Sequence, residues 1–122
     1  MRMKKLLIVD DDAMVRQLVR MSLPTYQCSE APDGETALLM VEQEQPDVIF
    51  LDWTLPGMSG TNVVKALQRY PEHRVIPIIM ASARGEEQTA RVARDLGLAG
   101  YLAKPFDVNE LRAAVAKALE GK

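Results

Sequence analysis

Two kinds of hydrophobic pattern alternate along the chain. Short apolar runs rich in β-branched residues lie at Leu6–Val9, Val48–Leu51 and Ile76–Met80, with a weaker run at Ala99–Ala103. They show no polar alternation, which marks strands buried on both faces of a parallel sheet. Tyr26–Ala31 alternates in polarity and reads as an edge strand. Between these runs, apolar residues recur at helical spacing. Ala13–Leu23 places Val15, Leu18, Val19 and Ser22 along one face and is stopped by Pro24. Asp33–Glu44 carries Ala37, Leu38, Met40 and Val41; Gly60–Tyr70 carries Val63, Val64 and Leu67. Glu86–Leu96 carries Ala90, Ala93 and Leu96, with Gly97 as its terminator. Asp107–Leu119 opens on Asp107 and Glu110 at capping-box spacing and continues through Leu111, Ala114, Val115, Ala118 and Leu119.

A strand followed by a helix, five times over, predicts right-handed crossovers and a parallel sheet covered on both faces. The expected fold is α/β and flavodoxin-like: a doubly wound five-stranded sheet of order 2-1-3-4-5 with five helices, as a single domain over 1–122. In such sheets ligands bind beyond the carboxyl ends of the strands, beside the switch point between the first and third.

Composition narrows the function. The 122 residues carry 15 basic and 17 acidic side chains, a net charge of −2, which argues against direct binding of nucleic acid. One cysteine, Cys28, cannot form an internal disulfide, and with the one histidine, His73, it cannot assemble a zinc site. His73 reads as a solvated residue of a Pro71–Arg74 loop. The basic Met1–Lys5 segment is followed only by the apolar Leu6–Val9, too short for a signal peptide or membrane span, so a cytoplasmic location is expected.

The predicted strand ends carry the chemistry. The first ends in Asp10-Asp11-Asp12, the third in Asp52, the fourth near Ser82 and the fifth near Lys104-Pro105. Singly these have plain explanations: Asp12 as a helix cap, Ser82 as a turn residue, Lys104 as a surface charge. Together they place carboxylates from both strands of the switch point in one crevice. Such a cluster raises the pKa of its members or recruits a cation, and oxygen ligands without His or Cys favour Mg²⁺. Carboxylate, metal, lysine and hydroxyl together suit phosphoryl transfer.

The segments LLIVDDDAMVRQLV, PDVIFLDWTLPGMSG, PIIMASARGEE and GYLAKPF resemble, in order and spacing, the receiver domain of two-component response regulators, here of the single-domain chemotaxis type. The resemblance spans essentially the whole chain. It implies that Asp52 is a phosphoacceptor taking its phosphoryl group from a phosphohistidine on a kinase or phosphotransfer protein. Mg²⁺ would be bound by Asp11 directly, Asp10 largely through water, Asp52, and the backbone carbonyl of Thr54. Lys104, preceding a cis Pro105, and Ser82 would contact the phosphoryl oxygens, with the backbone N–H groups of Trp53 and Ala83. Ser82 and Tyr101 would form the switch, and Thr54 and Arg84 would tune phosphoryl lifetime. The switched surface would comprise the fourth helix, fifth strand and fifth helix (Glu86–Leu119) and be read by a downstream protein. Arg84, Arg91, Arg94 and Lys104 form a mildly basic region suited to docking a protein. Ala99-Gly100 and Ala114 stand where DNA-binding receivers often carry ion-pairing residues, so the expected state is a monomer, with a dimer on phosphorylation left open. The domain would not be an enzyme beyond slow self-dephosphorylation. Two other readings compete: a haloacid-dehalogenase-type phosphatase with Asp10 as nucleophile, and a receiver-like scaffold that takes no phosphate.

Overall fold

The computed structural model describes residues 2–121. Five strands form one sheet in the order β2-β1-β3-β4-β5: β1 Lys5–Val9, β2 Gln27–Ala31, β3 Val48–Asp52, β4 Ile78–Ser82 and β5 Gly100–Ala103. Every neighbouring pair is parallel. This is the doubly wound order expected from the alternating pattern.

The helices are α1 Ala13–Ser22, α2 Gly34–Gln43, α3 Gly60–Gln68, α4 Pro71–Arg74, α5 Glu86–Leu96 and α6 Val108–Glu120. Among the described residues they make six where five were expected. The extra one is the single turn α4, in the stretch read as a loop. Pro71 cannot continue α3, but its fixed φ suits the first turn of a new helix, where it is found. His73 is accordingly half-buried rather than solvated, its ring edge-on to Tyr70 at 5.8 Å.

Successive residues of the central strands point to opposite faces, so each strand feeds two cores. Leu7, Val9, Ile49, Leu51, Ile78 and Met80 pack with Ala37 and Val41 of α2 and Val63, Val64 and Leu67 of α3. Leu6, Ile8, Val48, Phe50, Ile79 and Leu102 pack with Val19 of α1 and Leu111, Val115 and Ala118 of α6. β4 begins two residues later than the apolar run suggests. Ile76 is buried just ahead of it, and Pro77 contributes only its carbonyl, which accepts from Ile49 N–H at 3.0 Å.

Local signals set several boundaries. Asp12 caps α1 by accepting from Met14 N–H, and Asp107 with Glu110 closes a reciprocal capping box on α6. Gly97 ends α5 at φ +70°, the left-handed geometry glycine adopts without penalty. The face of α1 is the exception. Val19 and Ser22 are buried, but Leu18 is 46% exposed and joins Met14 and Met21 on the outside of the helix. Among the described residues no helix is long and apolar enough to cross a membrane.

Candidate functional site

The carboxyl ends of β1, β3, β4 and β5 converge on one crevice. β1 runs straight into Asp10, whose N–H donates to Ala31 O of β2 at 3.2 Å and whose side chain is wholly buried. Both of its carboxylate oxygens are engaged. Oδ1 accepts from Asp12 N–H at 2.9 Å, and Oδ2 accepts from Lys104 Nζ at 2.8 Å. Asp52, the last residue of β3, is 6% exposed; its Oδ2 lies 3.5 Å from the same ammonium, and its Oδ1 accepts from Thr54 N–H at 3.3 Å. Lys104 therefore bridges the two buried carboxylates.

Lys104 is placed from two sides. Its N–H donates to Ser82 O at 2.7 Å, tying the end of β5 to the end of β4. Beyond the cis Lys104–Pro105 bond, Phe106 packs edge-on against Phe50 of β3 at 5.9 Å. Ser82 itself is buried, and its Oγ accepts from Arg84 N–H at 3.0 Å.

The electrostatics follow from burial and crowding. Desolvation, and then repulsion from Asp10, push the Asp52 carboxyl above its ordinary range, against the pull of Lys104 and Thr54 N–H. For Lys104, burial acts downward, but the hydrogen bond and attraction of Asp10 and the charge of Asp52 outweigh it, and its pKa is raised. The ammonium is thus held charged between two acids.

Asp10, Asp11 and Asp52 each offer a carboxylate oxygen, and these oxygens lie within 4.8 Å of one another. Asp11 is exposed, whereas the other two are buried. Three hard oxygen donors, with solvent reaching the cluster through Asp11, fit a Mg²⁺ ion that keeps part of its water shell. They do not fit zinc or another ion that prefers nitrogen or sulfur ligands.

The structure therefore gathers Asp10, Asp11, Asp52, Ser82 and Lys104 at one end of the sheet, as the strand-end reading expects. Thr54 is exposed in the turn that follows Asp52. Two expectations change. Trp53 N–H, expected to face the phosphoryl group, is committed to Ala81 O at 2.9 Å by the parallel ladder, and the backbone N–H that reaches the Asp52 carboxylate is that of Thr54. The basic region is also not a single free patch: Lys104 turns inward, and the Arg84 guanidinium lies 4.6 Å from the centroid of the Trp53 ring. Arg91 makes only an exposed pair with Glu87 at 3.6 Å. Tyr101 stands 36% exposed on β5, in a groove lined by Ala90, Arg94, Leu98, Ala114 and Lys117.

Two residues that support the site carry little signal in the sequence. Arg16 Nη1 donates to Asp10 O at 2.7 Å while its Nε pairs with Glu30 at 2.9 Å, and Arg20 binds the other oxygen of Glu30. An arginine between Val15 and Val19 on an amphipathic helix is the only hint that it turns toward the sheet. Gly60 opens α3 directly against the β3 end. A Cβ there would stand 2.5 Å from Asp52 O and 2.8 Å from Trp53 Cα.

Comparison with known proteins gives the family of the chain. The family model described as the response regulator receiver domain matches residues 6–116. The phosphate regulon transcriptional regulatory protein PhoB of Pseudomonas aeruginosa is 39% identical over 110 residues, covering 88% of this chain and 48% of that protein. The chain thus spans about half the length of that relative. Sporulation initiation phosphotransferase F of Bacillus subtilis is 37% identical over 118 residues, covering 95% of this chain and 94% of that protein. Among solved structures, chemotaxis protein CheY4 of Vibrio cholerae superposes with a TM-score of 0.88 at 31% identity, covering 97% of this chain and 100% of that one. The fold, the acidic crevice and the match over residues 6–116 together show that this chain belongs to the response regulator receiver domain family of two-component systems.

Proposed function

We propose that the chain accepts a phosphoryl group on Asp52 from a phosphohistidine donor and, in doing so, switches the surface formed by α5, β5 and α6. The observation that carries this reading is the placement of Asp52: nearly buried, 3.5 Å from Lys104, with the Asp10 and Asp11 carboxylates alongside. An Asp52 carboxylate oxygen attacks phosphorus. The P–O bond forms as the P–N bond to the donor imidazole breaks, and the imidazole nitrogen keeps the electron pair. Asp10, Asp11, Asp52 and the Thr54 carbonyl would hold Mg²⁺, which when bound neutralises charge on the phosphoryl oxygens. Lys104, now shared by two carboxylates, is placed to move its charge onto those oxygens, and Ser82 to donate its hydroxyl proton. Asp10 is the poorer nucleophile because its two oxygens are held at 2.9 and 2.8 Å, more tightly than those of Asp52 at 3.3 and 3.5 Å, which with the family match disfavours the dehalogenase-type reading.

The donor would approach over α1, where Met14, Leu18 and Met21 present an exposed apolar strip next to the exposed Asp11. On the far side of the site, Tyr101 lies outward in its groove, the arrangement expected of a resting switch. As a phosphoacceptor signalling domain the protein is not an enzyme in the usual sense.

The test is phosphorylation with a small-molecule phosphodonor in Mg²⁺. Acid-stable mass analysis after borohydride trapping should place the label on Asp52, and Asp52→Ala should abolish it while Asp10→Ala retains a residue of it. Label on Asp10, or none in the wild-type protein, would overturn the proposal.

A further inference from the structure

The two loops at the mouth of the crevice are joined by one contact. Trp53, the chain's single tryptophan, follows Asp52 in the turn after β3. Arg84 lies in the turn after β4, with its guanidinium over the indole at 4.6 Å. The two ends of this contact are fastened differently. The Trp53 backbone is held by β4 and α3: its N–H donates to Ala81 O at 2.9 Å, and its carbonyl accepts from Gly60 N–H at 2.8 Å. Its half-buried ring packs against the core that includes Leu55 and Val63. The Arg84 backbone is instead tied to the proposed switch hydroxyl, since its N–H donates to Ser82 Oγ at 3.0 Å. The next residue, Gly85, has φ +94° with no atom within 4 Å of where a Cβ would stand, and residues 83–88 are exposed. One end of the stack is thus fixed to the sheet, and the other rides on an open turn.

We propose that the Arg84–Trp53 stack is a latch of the resting state, which restrains the turn after β4 and opens when Ser82 is drawn to a phosphoryl group on Asp52. This rests on Asp52 being the phosphoacceptor. A hydroxyl can accept from the Arg84 N–H and donate its own proton to a phosphoryl oxygen at the same time. Movement of Ser82 therefore carries the Arg84 backbone with it, while the indole stays with β3. A contact made in only one of two states favours that state by its own free energy. For a solvent-exposed cation–π pair that corresponds to about a three-fold bias against the switched form.

Beryllofluoride with saturating Mg²⁺ serves as the probe, read by NMR and by titration. In the resting protein the Arg84 side-chain protons should be shifted upfield by the indole ring current, and loading should return them toward solvent-exposed values. Arg84→Ala and Trp53→Leu should each lower the half-saturating beryllofluoride concentration about three-fold, and the double variant should gain no more than either. Trp53→Phe, which keeps a ring and perturbs packing less, should fall between wild type and Trp53→Leu. Persistence of the upfield Arg84 shift in the loaded protein overturns the latch, as do additive effects in the double variant or weaker loading of Arg84→Ala. The Lys104 and Ser82 resonances separate the two levels. If they do not move on loading, the phosphoacceptor reading fails and the latch with it; if they move while Arg84 stays stacked, only the latch fails.

Discussion

Asp52 and Lys104 carry opposite obligations at the residue scale. The Asp52 carboxyl is raised by burial and by Asp10, so the folded protein binds that proton more tightly than the unfolded chain does. The resulting stability is fully present below the ordinary carboxylate value and is lost as pH rises through the folded-state value. At neutral pH, ionised Asp52 therefore weakens the fold. Asp52→Asn in EDTA should raise stability by about 1 kcal/mol and Tm by roughly 3–5 °C, with the difference shrinking as acid protonates the wild-type carboxyl. Thermal melts across pH 4–8 check this. Lys104 has the reverse role. Its raised pKa gives stability that is present below the ordinary lysine value and lost only as pH rises through the folded-state value, so at neutral pH it is fully present. Lys104→Ala leaves the wholly buried Asp10 without its cation and should cost about 3 kcal/mol in EDTA. Mg²⁺ should recover part of that loss, measured by urea unfolding with and without the ion.

At the scale of elements, the site depends on how closely α3 meets the end of β3. Gly60 is not a turn glycine; it is where a helix touches the backbone of Asp52 and of Trp53, the residue that follows it. Gly60→Ala would gain helix propensity of up to about 1 kcal/mol, but a 2.5 Å approach to Asp52 O forces the backbone apart. The net expectation is a loss of about 2 kcal/mol by urea denaturation, with weaker Mg²⁺ binding because the Asp52 carboxylate is displaced. An equivalent loss of stability with unchanged Mg²⁺ affinity would show that α3 does not position Asp52. On the other side of the sheet, Arg16 does similar work by bonding the Asp10 carbonyl, and it is itself held by Glu30, whose carboxyl the two arginines keep below the ordinary range despite its partial burial.

For the molecule as a whole, a Mg²⁺ ion held by the three carboxylates at one end of the sheet would couple stability to ion binding. A ligand that binds only the folded state stabilises it by RT ln(1 + [L]/Kd), about 1.4 kcal/mol at ten times Kd. Tm should therefore climb with Mg²⁺ concentration, and Asp11→Asn should flatten that climb without lowering Tm in EDTA, because Asp11 is the exposed member of the cluster. Calorimetry at several Mg²⁺ concentrations checks both. The same architecture places an apolar strip on α1 at one side of the crevice and the Tyr101 groove at the other, so that proposed donor and reader need not compete for one surface.

Much of this was legible in the one-dimensional pattern. Apolar runs without alternation specify strands buried on both faces; right-handed crossovers narrow the sheet to doubly wound orders, and the expected order 2-1-3-4-5, found in the structure, brings Asp10 and Asp52 to one crevice. Asp12, Gly97 and the Asp107–Glu110 pair set helix ends through bonds to residues only a few positions away. What the sequence left open depends on contacts between segments far apart. Leu18 sits on the apolar side of its helical pattern, yet it faces outward because α6 and the sheet reach only as far round α1 as Val19 and Ser22. Trp53 N–H is taken up by the β4 ladder, and Arg84 finds the indole, only once two loops are set side by side. Periodicity and capping are local and determine which elements form and in what order. The partner of a given donor, cation or ring is decided by three-dimensional packing, and that packing turns a row of strand-end residues into a site.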